Sequence, residues 1–236
     1  MKKLLLLFTL ITFLAGCLPV DSLEPLYTDK DTVFDTALLG EWVSPDANDD
    51  GVTTFTEVSG HPVSSYTIMM QDKDKNGATS YSAHLVDLQG HRFLDVVPEN
   101  WDARANSYAL HLDHSKNGVS LQPRLLRLGP AAYMEFTSGG QSPKGEQIQA
   151  RLRTAHWFFK VTTEGKKLRL DWVDDDKFQK EVIKATFRLE NTLLGDGKDK
   201  DVVITASTRE LQKFVVEHVN DDKLFSEHST EIQRRK

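Results

Sequence analysis

Apolar and polar residues alternate with a period of two over most of the chain. In 64–71, Tyr66, Ile68 and Met70 share one face and Ser65, Thr67 and Gln71 take the other. In 79–86, Tyr81, Ala83 and Leu85 oppose Ser80, Ser82 and His84; in 107–113, Tyr108, Leu110 and Leu112 oppose Ser107, His111 and Asp113. Trp157, Phe159 and Val161 line one side of 156–161, and Leu168, Leu170 and Trp172 one side of 167–172. Successive strand side chains point to opposite faces, so these segments predict half-buried antiparallel strands. Asn76-Gly77, Asn117-Gly118 and Glu164-Gly165 supply the positive φ that tight hairpins require, and Gln89-Gly90 turns 79–88 into 91–97. Sequential hairpins build a meander, and a meander of roughly eight to ten strands closes into a barrel or a strongly bent sheet.

The period changes in the C-terminal fifth. Ser207 and Glu210 form a capping box ahead of Leu211, Phe214, Val215 and Val219 at helical spacing, with Asn220 at the exit. An earlier helix is expected from Asp176, with Phe178, Val182 and Ile183 on one side, and a short strand over Val202 to Ile204. Gly195-Asp196-Gly197 and 138–150 read as loops. The expected fold class is therefore mainly β (α+β): an antiparallel meander forming a barrel or bent sheet, with two C-terminal helices packed on it.

The first sixteen residues belong to a different pattern. Lys2 and Lys3 precede an apolar run from Leu4 to Leu14, too short for a stable membrane-spanning helix and of the length of a secretory h-region. It ends in Leu14-Ala15-Gly16-Cys17, which contains the only cysteine. This tetrad resembles the lipobox of bacterial lipoproteins. The resemblance implies cleavage after Gly16, a diacylglycerol thioether on Cys17 and acylation of the new amino group. Several acyl chains hold a protein to a bilayer where one cannot. Leu18, standing where an aspartate would mark inner-membrane retention, implies the outer membrane of a two-membrane envelope. The expected organisation is a signal peptide over 1–16, a lipidated tether over 17–31, one β-rich domain over 32–225 and a polar tail over 226–236.

Composition narrows the function. The 236 residues carry a formal charge of −6, which disfavours non-specific nucleic-acid binding. One cysteine excludes a disulfide scaffold. Asp46-Ala47-Asn48-Asp49-Asp50-Gly51 running to Glu57 fits the spacing of a calcium loop. A calcium loop sits between helices, however, whereas Pro45 precedes this one and a Thr-rich strand follows, so it reads as an acidic hairpin loop. Asp72, Asp74 and Asn76 repeat the start of the pattern, but Ala83 stands where the bidentate acid belongs. His111 and His114 would point to opposite faces of a strand, and His84, His91 and His156 lie on separate strands, so no metal site or cofactor is expected. Asp174-Asp175-Asp176 reads as a helix cap. No nucleophile motif or phosphate loop occurs, and no enzymatic activity is expected.

Leu39-Gly40-Glu41-Trp42 resembles the Gly-x-Trp that opens the first strand of lipocalin-like barrels, which implies a tryptophan plugging one barrel end. Phe93 to Pro98, His156 to Val161, and Thr205 to Thr208 with Glu210 to Phe214 look like segments of uncharacterised bacterial lipoproteins, which implies an envelope location and lends no catalytic residue. Three functions follow as expectations, in this order: a binding or accessory module of the envelope, contacting a partner protein; a lipocalin-like carrier of a small apolar ligand; and, last, a hydrolase with acids or histidines assembled from separate strands. A carrier needs an apolar interior that Trp42, Tyr66, Phe93, Trp157 and Trp172 do not together fill.

Overall fold

A computed structural model describes residues 20–46, 51–60, 62–71, 78–99, 124–129, 132–142, 145–194 and 201–235. The strands are β1 (Asp21–Ser22), β2 (Thr32–Val33), β3 (Gly40–Val43), β4 (Val52–Val58), β5 (Ser65–Gln71), β6 (Ala78–Leu88), β7 (His91–Pro98), β8 (Arg124–Gly129), β9 (Ala132–Ser142), β10 (Gly145–Thr154), β11 (Trp157–Glu164), β12 (Lys167–Val173), β13 (Asn191–Leu194), β14 (Asp201–Ile204) and β15 (Phe225–Arg234). The helices are α1 (Asp175–Ile183) and α2 (Thr208–Glu217), with a 3₁₀ turn over Thr36–Leu38.

Eight strands close into an antiparallel barrel in the order β3-β4-β5-β6-β7-β11-β12-β15, and β15 returns to β3. Every strand pairs with the one before it in this series, so the barrel is an up-and-down meander with two insertions. The first, between β7 and β11, contains the three-stranded β8–β9–β10 sheet. The second, between β12 and β15, contains α1, the β13–β14 hairpin and α2. The predicted barrel is thus closed rather than merely bent, as closure alone removes exposed strand edges.

Register gives the barrel one face inside and one outside. The inner cluster is Leu38, Trp42, Phe55, Tyr66, Ile68, Ala83, Leu85, Leu94, Val96, Val161, Leu168 and Ile232. A second cluster lies outside the barrel, where Val86, Leu88, Phe93 and Phe158 meet Phe178 of α1 and Leu211, Phe214 and Val215 of α2. The wall β6–β7–β11 is therefore buried on both sides. Phe178, Phe187 and Phe214 contact one another in this layer with centroids 5.1–6.1 Å apart. Both helices are capped as their sequences require: Asp174 accepts the Lys177 N–H at 3.0 Å, and Ser207 with Glu210 forms the reciprocal box. At the β6–β7 turn, Gln89 and Gly90 adopt φ of 58° and 85°, as a two-residue hairpin demands.

Several expectations are corrected. Residues 20–31 are not a tether. Val20, Asp21, Ser22, Leu23 and Leu26 are buried, β1 pairs in parallel with β14, and Ser22 and His156 exchange two backbone hydrogen bonds of 2.8 and 3.0 Å. The folded body thus includes Val20, before the expected boundary at 32. Residues 226–236 are not a frayed tail, because β15 fills the place between β12 and β3, with Ile232 buried opposite Leu168. The expected loop at 138–150 belongs to the β9–β10 pair. Helix α1 begins at Asp175, and Ile183 faces away from the core at 62% exposure. Both helices precede the last strand instead of ending the fold. The expected strand 107–113 and the turns at Asn76, Asn117 and Gly195 lie outside the described residues.

Candidate functional site

The two ends of the barrel differ in chemistry. At one end the chain enters through the 3₁₀ turn, whose N-cap Asp35 accepts the Ala37 N–H at 2.8 Å. Trp42 is buried here, and its indole N–H donates to the Leu38 carbonyl at 2.8 Å. Arg234 of the last strand lies over the Trp42 ring at 4.8 Å and donates to the carbonyls of Leu39 and Ala37. A cation stacked on an indole while capping two carbonyls ties the final strand to the first. Gly40 makes room for it. Its φ is +107°, and a Cβ there would stand 3.3 Å from the Arg234 guanidinium. Tyr66 completes the plug, stacked on Phe34 at 4.9 Å, with its hydroxyl accepting the Asp35 N–H at 2.7 Å and donating to the Asp35 carbonyl at 3.1 Å. Burial pushes the Tyr66 pKa up to about 12.

At the opposite end the inner face is looser. Register places Tyr81 opposite Pro98 and Trp172 opposite Phe159 on the inner side, while Trp157, opposite Val96, packs at the rim against Leu23, Tyr133, Ala155 and Val203. Tyr81, Phe159, Leu170, Trp157 and Trp172 are only half-buried, and Met70 on the same face is 38% exposed. The rings of Tyr81 and Trp157 stand 6.1 Å apart. Trp42 and Tyr66 therefore fill one half of the barrel, Phe93 lies outside it, and Trp157 and Trp172 rim the other half.

The segment from Val20 to Asp31 runs down the outer wall from this rim to the plugged end, held by buried polar groups. At the rim, Asp21 accepts hydrogen bonds from the Trp157 indole N–H at 2.6 Å and from the Tyr133 hydroxyl. Arg153 donates to the Leu23 carbonyl and pairs with Glu24. Midway, the Asp95 carboxylate, 0% exposed, accepts the Leu26 N–H at 2.6 Å and the His156 Nδ1–H at 2.7 Å. His84 sits across the β6–β7 ladder from Asp95, with its ring 4.2 Å from that of Tyr27. Burial holds the His84 pKa below its ordinary value against the pull of Asp95, and burial together with Asp95 raises that of Tyr27. Lower down, Gln212 of α2 donates to Leu26 and Asp31, and the Asp31 carbonyl accepts the Asp87 N–H. Beside this last contact a cleft of about 500 Å³ runs between α2 and the β6–β7 turn, lined by charges of both signs (Asp31, Asp87, Arg209, Lys213).

Cys17, the one residue the sequence singles out for covalent chemistry, lies outside the described residues, as do His111, His114, Asp72 and Asp74. Of the calcium-like segment, Ala47 to Asp50 fall outside them too, and Glu57 lies on β4 accepting the Ser64 hydroxyl at 2.8 Å. Among the described residues no group of three His, Cys, Asp or Glu side chains is placed to hold a metal ion. Asp174 caps α1, with Asp175 and Asp176 in its first turn. The fold does bring together His84, Asp95 and His156, which their scatter along the chain does not suggest. Half of that cluster was encoded, since a two-residue turn at Gln89-Gly90 sets His84 opposite Asp95. No helix among the described residues is long and apolar enough to cross a membrane. Comparison with family models, with curated proteins and with solved structures finds no match.

Proposed function

We propose that this chain is a lipid-anchored lipoprotein of the bacterial outer membrane, attached through Cys17, and that its barrel is a binding module for a small apolar or amphiphilic molecule. The observation that carries the reading is the gradient of burial along the barrel's inner face. Trp42, Tyr66, Leu85 and Leu168 are fully packed at one end, while Tyr81, Trp172 and Leu170 are half-buried at the other. Small-molecule sites in barrels are concave, mostly apolar and carry a few polar groups that orient the ligand. Here Tyr81 and Trp172 present large amphipathic aromatic faces to the interior. The reading assigns no catalytic step and no cofactor.

The test is a titration of the mature chain from residue 17, carrying Cys17→Ser, with the fluorescent apolar probe N-phenyl-1-naphthylamine. Saturable enhancement at one probe per chain is expected, weakened about tenfold or more by Trp172→Ala with Tyr81→Ala, on the order of 1.4 kcal/mol. Enhancement that never saturates, or that both substitutions leave unchanged, would refute the site.

A further inference from the structure

We infer that the barrel's Trp157 rim is held against the lipid surface, so that the looser end of the barrel faces the bilayer and the plugged end faces away. This rests on the reading of Cys17 as the acylated residue. Val20 is 2% exposed and belongs to the core outside the barrel, so the chain is fixed to the body from this residue onward. Only Leu18 and Pro19 separate it from Cys17. Three residues span at most about 11 Å even when fully extended, so no spacer lifts the body off the membrane.

The attachment also has a direction. Asp21, the next residue after Val20, is hydrogen-bonded to Trp157 at the rim. Leu26 is then tied to Asp95 on β7, Asp31 to Asp87 near the foot of β6, and Thr32 and Val33 pair with Val86 and Leu85 before the 3₁₀ turn and Trp42 close the far end. The anchor therefore leaves from the rim, and the plug lies at the other end of the same strap.

A second observation concerns the side chains at that rim. The exposed large apolar residues among the described ones include Met69 and Met70 at 42% and 38%, both at the end of β5 that pairs with Val52 and Ala78. With Tyr81, Trp157 and Trp172 they give this end the aromatic and thioether surface that suits a membrane–water interface.

The experiment uses the full chain, lipidated in cells and reconstituted into vesicles of phosphatidylcholine and phosphatidylethanolamine with brominated acyl chains. Because the single native cysteine is consumed by the lipid, Met69→Cys and Val58→Cys each present one thiol for a fluorophore, Val58 being exposed at the opposite end of the barrel. Quenching of the label at position 69 is expected to exceed that at position 58 several-fold. An insertion of twelve Gly-Ser residues between Leu18 and Pro19 should abolish the difference. Equal quenching at the two positions in protein that has incorporated labelled palmitate would overturn the orientation and leave the anchor standing. Failure of palmitate to enter the wild-type chain would overturn the anchor itself, and the orientation with it.

Discussion

Replacing Asp95 by alanine tests whether the N-terminal strap is an integral part of the fold. The carboxylate is wholly buried and has two charge-assisted partners, the Leu26 N–H at 2.6 Å and His156 Nδ1–H at 2.7 Å. Alanine leaves the Leu26 amide without an acceptor in a place where Leu26 is itself fully buried, a penalty of about 1–3 kcal/mol. His156 is 17% exposed and can recover part of its hydrogen bonding from water, so its share is about 1 kcal/mol. The sum, about 2–4 kcal/mol, overlaps the cost of breaking a buried polar pair by removing one member. Asp95→Asn behaves differently. Its amide oxygen still accepts from Leu26, and its NH₂ can donate to the opposite tautomer of His156, so the cost is about 1 kcal/mol. In urea unfolding followed by tryptophan fluorescence, an m-value of about 3 kcal/mol/M puts the alanine midpoint roughly 1 M below wild type and the asparagine midpoint about 0.3 M below. Equal shifts for the two variants would show that negative charge, not the hydrogen-bond geometry, is what Asp95 supplies. An unchanged midpoint for alanine would refute the docked strap altogether.

Two further predictions follow from the same reasoning. His84 is half-buried, and desolvation holds its pKa below the ordinary 6.5, so the unfolded chain binds the proton more readily than the folded one. The stabilisation is complete above pH 6.5 and is lost as the pH falls toward the folded value, with a slope of at most about 1.4 kcal/mol per pH unit. Urea midpoints measured from pH 7.5 to pH 5 should fall accordingly, and His84→Gln should flatten the curve; an equally steep decline in that variant would assign it elsewhere. At the plugged end, Trp42→Ala is expected to cost about 3–5 kcal/mol, and a double-mutant cycle with Arg234→Met should show coupling of about 1 kcal/mol. Strict additivity would mean that the stacked guanidinium contributes only through the Leu39 and Ala37 carbonyls.

Much of the barrel is legible in the sequence because a period of two is a local signal. Tyr66 and Ile68, Ala83 and Leu85, and Phe159 and Val161 all face the interior that their alternation assigns them. The turn residues Gln89, Gly90 and Gly165 adopt the positive φ their types permit. The readings that failed did so where alternation is absent or ambiguous. Phe93-Leu94 and Trp157-Phe158-Phe159 are unbroken apolar runs because their wall is covered on both sides, so the outward placement of Phe93 and Phe158 follows only from the tertiary packing. Ser226 to Lys236 looks like a tail because Ile232 is its one apolar residue, yet a strand needs only one buried side chain and a full ladder of backbone bonds to hold its place. The strap was missed for a related reason. Its two prolines and scattered acids have no period, and it is fixed by single long-range contacts, such as Leu26 with Asp95, 69 residues away, and Asp21 with Trp157, 136 residues away.

Those contacts also account for buried carboxylates in a protein that could have sealed the same wall with leucine. An irregular segment laid across a sheet has unpaired backbone donors along its whole length, and burying them without partners costs more than the apolar contact returns. The β1 stretch answers this with backbone bonds to Ile204 and His156, but Leu26 lies beyond the reach of any strand and takes a side-chain acceptor instead. An apolar residue at position 95 would leave that donor orphaned, whereas a carboxylate also fixes His156, whose backbone already holds Ser22. The same side chain thereby sets the register of the strap at two points. A strap placed so specifically is the more significant because Cys17, the candidate anchor, lies three residues upstream of the buried Val20.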